Sequence, residues 1–146
     1  MSSDEIDRFL SEERTCRVAT VHAGEFPHVT PLWFVWDSTS LWLNSLVASQ
    51  RWTDLGRDPR LGVLIDGGSS YDELRGVEFG GRAEFVGDVP RQGADIDELV
   101  APERLWSEKY RGGQPMVHDG KHGWIRMTPE RVVSWDFRKL HQRDAS

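Results

Sequence analysis

The chain has 146 residues, 38% of them hydrophobic and 29% charged, which is the size and make-up of one water-soluble domain. Eighteen Lys and Arg against 24 Asp and Glu leave a net charge of −6, a poor match for a general nucleic-acid binder with its basic face. No apolar run approaches the roughly 20 residues of a membrane helix, the acidic start Met1–Glu5 lacks the apolar core of a secretory signal, and the single Cys16 can form no internal disulfide, so a cytoplasmic protein is expected.

Ser2 and Glu5 have capping-box spacing, and Ile6, Phe9 and Leu10 recur at helical intervals, so a short helix is predicted over 3–13. Arg17–His22 is short and β-branched, and the segment 23–27 is a turn built on Gly24 and Pro27. His28–Trp36 reads as a second strand, Asp37–Thr39 as a turn and Leu41–Val47 as a third strand. Connections this short make the three an antiparallel meander. Ser49 is a candidate N-cap for a helix with apolar Trp52 and Leu55, stopped by Gly56 and then Asp58-Pro59. Leu61–Ile65 is a continuous apolar run, hence a buried strand, and 66–74 is a polar loop rich in Gly and Ser.

Val77–Val86 alternates, with Val77, Phe79, Ala83 and Phe85 on one face. Gly80-Gly81 in its middle predicts a bulge of the kind that helps a sheet close into a barrel. After a linker at 88–93, Ile96, Leu99 and Val100 begin a helical stretch that Pro102 interrupts and Leu105, Trp106 and Tyr110 resume. A Gly-rich loop over 111–123 leads to Trp124–Met127 and Arg131–Phe137, read as a closing hairpin around Thr128–Glu130. The tail from Leu140 is expected to fray. Many short strands with few helices argue for a small, mainly β barrel, one domain over 1–146, and not for a doubly wound sheet.

Several catalytic devices are missing: no phosphate-binding Gly-rich loop ending in Lys-Ser/Thr, no dinucleotide turn, and no Gly-x-Ser-x-Gly elbow. His118 and His122 are four apart, but Asp119-Gly120 between them favours a turn over a metal-binding helix, so no metal is expected. The adjacent acids Glu12-Glu13 and Asp97-Glu98 read as solvated faces. Seven Trp, six Phe and two Tyr suit a β-rich core, and equally a flat binding pocket or a subunit interface. The most informative place is the junction of the third strand and the short helix. Asn44 and Ser45 end the strand, and Ser49, Gln50 and Arg51 open the helix. A helix N-terminus attracts phosphate through its free N–H groups and dipole, and Arg51, read as an exposed side chain, adds a guanidinium. The alternative is a plain N-cap beside a solvated arginine.

The stretches 17–21, Pro27–Asp37, Leu41–Ser45 and above all Ser49–Arg60, with its Arg57-Asp-Pro-Arg60 ending, resemble the pyridoxamine 5'-phosphate oxidase-like split-barrel family, in its flavin/deazaflavin oxidoreductase branch. Val77–Ala83 and Arg131–Phe137 resemble that family's next and closing strands. The resemblance implies a six-stranded antiparallel split barrel over about 15–138 and a homodimer with two cofactor sites at its interface. It implies FMN or the deazaflavin coenzyme F-420 as cofactor, and hydride transfer to or from a small planar organic substrate. Carried over by position, Ser49 and Arg51, with Gln50 between them, would hold the phosphate. Val29, Thr30, Pro31, Leu32 and Trp33 would line the ring, and Asn44 and Ser45 would touch its edge or the ribityl chain. The family usually has Lys where Arg51 stands. No catalytic side chain is implied, since such a cofactor carries the chemistry itself. The same fold would also serve as a flavin, deazaflavin or haem store without turnover, or as a cofactor-free dimeric interaction protein.

Overall fold

The structure, a computed structural model, describes residues 1–24 and 26–143, residues 141 and 143 by backbone alone. Helix α1 (Ser3–Glu12) is closed by the capping box: the Glu5 N–H donates to Ser2 Oγ at 3.2 Å, and the Ser2 N–H donates to Glu5 Oε2 at 2.6 Å. Then come β1 (Thr15–Thr20), β2 (His28–Trp36), β3 (Leu41–Leu46), α2 (Gln50–Arg57), β4 (Arg60–Gly67), β5 (Arg75–Val86), α3 (Asp97–Tyr110) and β6 (His122–Asp136). The six strands close a barrel in the order β1-β2-β3-β6-β5-β4, and every pairing is antiparallel.

Three elements differ from the sequence reading. The expected closing hairpin does not exist: 124–127 and 131–136 belong to one strand, β6. Gly80 pairs with Arg131 but Gly81 with Pro129, so Glu130 is the extra residue of a bulge. A bulge is where a proline, lacking an N–H for the ladder, is tolerated inside a strand. The glycine opposite makes room for the core, because a Cβ on Gly81 would stand 2.8 Å from Met127 Sδ and 3.1 Å from Thr128 O and would push Met127 aside. Helix α3 also runs unbroken through Pro102. The proline is buried, and packing of Leu99 with Val35, Trp42, Val86 and Trp124 outweighs the roughly 3 kcal/mol that a proline costs inside a helix. At the C-terminus Leu140–Arg143 forms a helical turn, α4, where fraying was expected, and residues 144–146 lie outside the described residues.

The core has two parts. Inside the barrel, Val18, Phe34, Leu43, Ile65, Phe79 and Ile125 pack together, with Phe9 and Leu10 of α1 at one end and Trp52 and Leu55 of α2 also buried among them. The smaller cluster of Val35, Trp42, Val86, Leu99 and Trp124 sits outside the wall, beneath α3. Strand alternation sends Phe34 inward and Val35 outward, so β2 serves both.

Strands β2 and β3 pair only at Phe34↔Leu43, Val35↔Trp42 and Trp36↔Leu41. Beyond that, 28–33 stays with β1 and 44–46 with β6, and the two strands diverge. Among the described residues no helix is long and apolar enough to cross a membrane.

Candidate functional site

The divergence of β2 and β3 is bridged by one side chain. Arg51, in the first turn of α2, donates from Nε to Ser45 Oγ of β3 at 3.2 Å and from Nη1 to Thr30 Oγ1 of β2 at 2.5 Å. It is 8% exposed, not the solvated helix residue that the sequence suggested. Its burial follows from helical spacing: Arg51 and Asp54 lie beside Leu55 and Trp52, and all four share the buried face of α2. Among the described residues no carboxylate pairs with this guanidinium, and burial pushes its pKa down. A buried cation held only by hydroxyls is short of negative charge.

Ser49 caps α2, accepting from the Trp52 N–H at 3.2 Å and donating to Leu46 O at 2.7 Å, with its Oγ 3.4 Å from Ser45 Oγ. The Ser49 N–H donates to Leu46 O and the Thr53 N–H to Ser49 O. Of the first amides of the helix, those of Gln50 and Arg51 are left without a partner among the described residues.

The residues singled out in the sequence therefore divide. Thr30, Ser45, Ser49 and Arg51 converge at one point, and Leu32 follows Thr30 on the same face of β2. Val29, Pro31 and Trp33 alternate to the outward face and are exposed; Trp33 stacks on Tyr110 at 4.3 Å with the Arg14 guanidinium 5.1 Å from its ring centroid. Asn44 points away from Ser45, as neighbours on a strand must. Its Nδ2 is buried with no partner, as is Nε1 of its cross-strand neighbour Trp124. Gln50 turns to the other side of Arg51, donating to Asp54 Oδ1 at 2.8 Å.

A second polar cluster adjoins the first and was not read from the sequence. Asp54 is fully buried, accepts from Thr20 Oγ1 at 2.8 Å, and lies 3.0 Å from His22 Nδ1 through Oδ1. A carboxylate only accepts, so the Nδ1–H of His22 donates to it. Burial pushes the Asp54 carboxyl up, but the bonds from His22, Gln50 and Thr20 overcome this and hold it well below the usual range. The His22 ring lies 6.3 Å from that of His28, one same-face step along β2 from Thr30. The only sequence signal was the i, i+3 spacing of Arg51 and Asp54; the partners on β1 and in the turn are more than 30 residues away. His118 and His122 lie in no helix, and each faces its own carboxylate, Glu103 and Asp119.

The model of the pyridoxamine 5'-phosphate oxidase family matches residues 2–136. A solved structure, a conserved hypothetical protein from Mycobacterium tuberculosis, is 33% identical, with a TM-score of 0.78 over 97% of this chain and 88% of that one. Two others speak to the fold alone. An FAD-binding protein from Mesorhizobium loti is 22% identical, TM-score 0.67, over 92% of this chain and 94% of its own. An F-420 reductase is 20% identical, TM-score 0.64, over 87% and 94%. No curated protein matches the chain.

Proposed function

The chain belongs to the pyridoxamine 5'-phosphate oxidase family, and we propose that it is an oxidoreductase that binds a flavin or deazaflavin, coenzyme F-420 or FMN, and exchanges hydride with a small planar organic substrate. The observation that carries this reading is Arg51: a buried guanidinium without a counter-charge, between two hydroxyls, at a helix N-terminus with two free amides. That donor set fits a phosphate, which accepts from all of them at once. When bound, the ring supplies the redox chemistry. Arg51 and the amides of Gln50 and Arg51 would hold the phosphate, while Thr30 and Ser45 orient the guanidinium. The half-buried Leu32 offers an apolar contact on the same face. We read the molecule as a homodimer joined through the outward face of β2, where Val29, Pro31 and the part of Trp33 not covered by Tyr110 and Arg14 are exposed.

Fluorescence titration with FMN and with coenzyme F-420, on wild type and Arg51→Ala, tests the reading. One cofactor should bind, and the substitution should weaken it about tenfold or more, because charge-assisted hydrogen bonds are worth roughly 1.5–3 kcal/mol. Equal affinities of the two proteins would overturn the phosphate assignment, and binding without turnover of any reduced cofactor would leave a storage protein.

A further inference from the structure

Lys109 lies on α3, away from the Arg51 site, with its amine turned toward α1. Its Nζ donates to Leu10 O at 2.8 Å and stands 3.9 Å from the centroid of the Phe34 ring. Among the described residues it makes no ion pair. The same side chain lines a cavity of about 420 Å³ between α1, β2 and α3, whose apolar walls are Leu10, Val35, Trp36 and Leu105. We infer that Lys109 is a site of Nε-acylation by small acyl donors that enter this cavity.

A solvated lysine keeps its proton at neutral pH and is a poor nucleophile. Here one carbonyl and the rings of Phe34 and, at 5.5 Å, Tyr110 hold the ammonium, and none of them replaces its lost hydration. Burial pushes the pKa of Lys109 down to about 8; the neighbouring Arg14 acts in the same direction, and Glu13 against it. The Cys16 thiol is itself pushed up to about 12 by burial and stays neutral. The remaining charged groups at the cavity are Glu12 and Glu108, on α1 and α3. A substantial share of Lys109 is therefore free amine near neutrality, in a space with room for an acyl group.

With an acyl phosphate the step balances simply. The nitrogen lone pair attacks the acyl carbon, the N–C bond forms, the acyl C–O bond breaks, inorganic phosphate leaves, and the ammonium proton passes to water. The product amide keeps one N–H for Leu10 O and loses its charge over Phe34.

The chain carries an internal comparison in its other two lysines, Lys121 and Lys139, both exposed. The full-length protein is incubated with acetyl phosphate across a pH series, and acetylation of each lysine is followed by mass spectrometry. At neutral pH Lys109 should react at least about tenfold faster than Lys121: a pKa near 8 raises the free-amine share by about two decades, and the lower basicity takes back part of that gain. Its rate should level off above pH 8, where that of Lys121 still climbs. Lys109→Arg keeps the cation and should lose this label alone. A Lys109 that reacts no faster than Lys121, or whose rate climbs without levelling, overturns the inference; both outcomes are read on wild type, whatever the variant does.

Discussion

Asp54 shows how much one buried carboxylate decides here. It ties the first turn beyond β1 to α2 through Thr20, His22 and Gln50. In the unfolded chain it titrates near about pH 4, and in the folded protein well below that. Between those values the folded state binds fewer protons than the unfolded one. The stabilisation is thus fully present above about pH 4 and fades as the pH falls through the folded value. Asp54→Asn should cost about 1–3 kcal/mol at neutral pH, since a donor replaces an acceptor against buried donors. It should also flatten the acid side of a melting-temperature profile; an unchanged acid side would remove Asp54 from the account. Only the helical spacing of Gln50, Arg51 and Asp54 marks this cluster locally. Residues 49–51 were legible because caps and helix N-termini are local, whereas the burial of Arg51 and the Asp54–His22 pairing depend on how α2 lands on the barrel.

Helix α2 is positioned by contact with a glycine. The Trp52 ring lies across Gly123 of β6, where an added Cβ would stand 2.6 Å from its Cη2, and stacks on Phe85 at 4.2 Å. Arg51 is the neighbouring residue, so the seat of Trp52 sets where the guanidinium points. Gly123→Ala should lift the ring and destabilise the fold by about 1–3 kcal/mol. It should also weaken cofactor binding, since Gly123 is the ladder partner of Ser45 and seats the residue next to Arg51. A variant with lower melting temperature and full affinity would separate the two. At this scale the sequence reading did well on β1 to β5, whose alternation and turns are explicit. It failed at Pro129 and Pro102 because proline is only a local signal: a bulge accommodates the first and packing under α3 outweighs the second. The same alternation, applied to 29–33 and to 44–45, would have told the inward residues from the outward ones.

For the whole molecule, barrel closure leaves few strand edges for pairing: β4 seals onto β1, and 28–33 of β2, 44–46 of β3 and 131–136 of β6 are each paired on one side only. The outward face of β2 is the one the dimer reading uses. Sedimentation at micromolar concentration should give a dimer for wild type and a monomer for Trp33→Glu, with the fold intact by circular dichroism. A wild-type monomer would remove the shared-interface reading and leave the Arg51 site standing on its own.

The divergence of β2 and β3 has a mechanical side. Around the ring of strands the ladders are unequal: β5 and β6 pair from Arg75↔Asp136 to Val86↔Trp124, whereas β2 and β3 hold only from Phe34↔Leu43 to Trp36↔Leu41. Opening costs least where the fewest backbone bonds must break. The barrel is therefore a stiff wall with one compliant seam, and Arg51 is a latch across it, with one hydroxyl catch on each lip. An anion that drew the guanidinium away from Thr30 or Ser45 would be felt as slack in the seam as well as charge in the pocket.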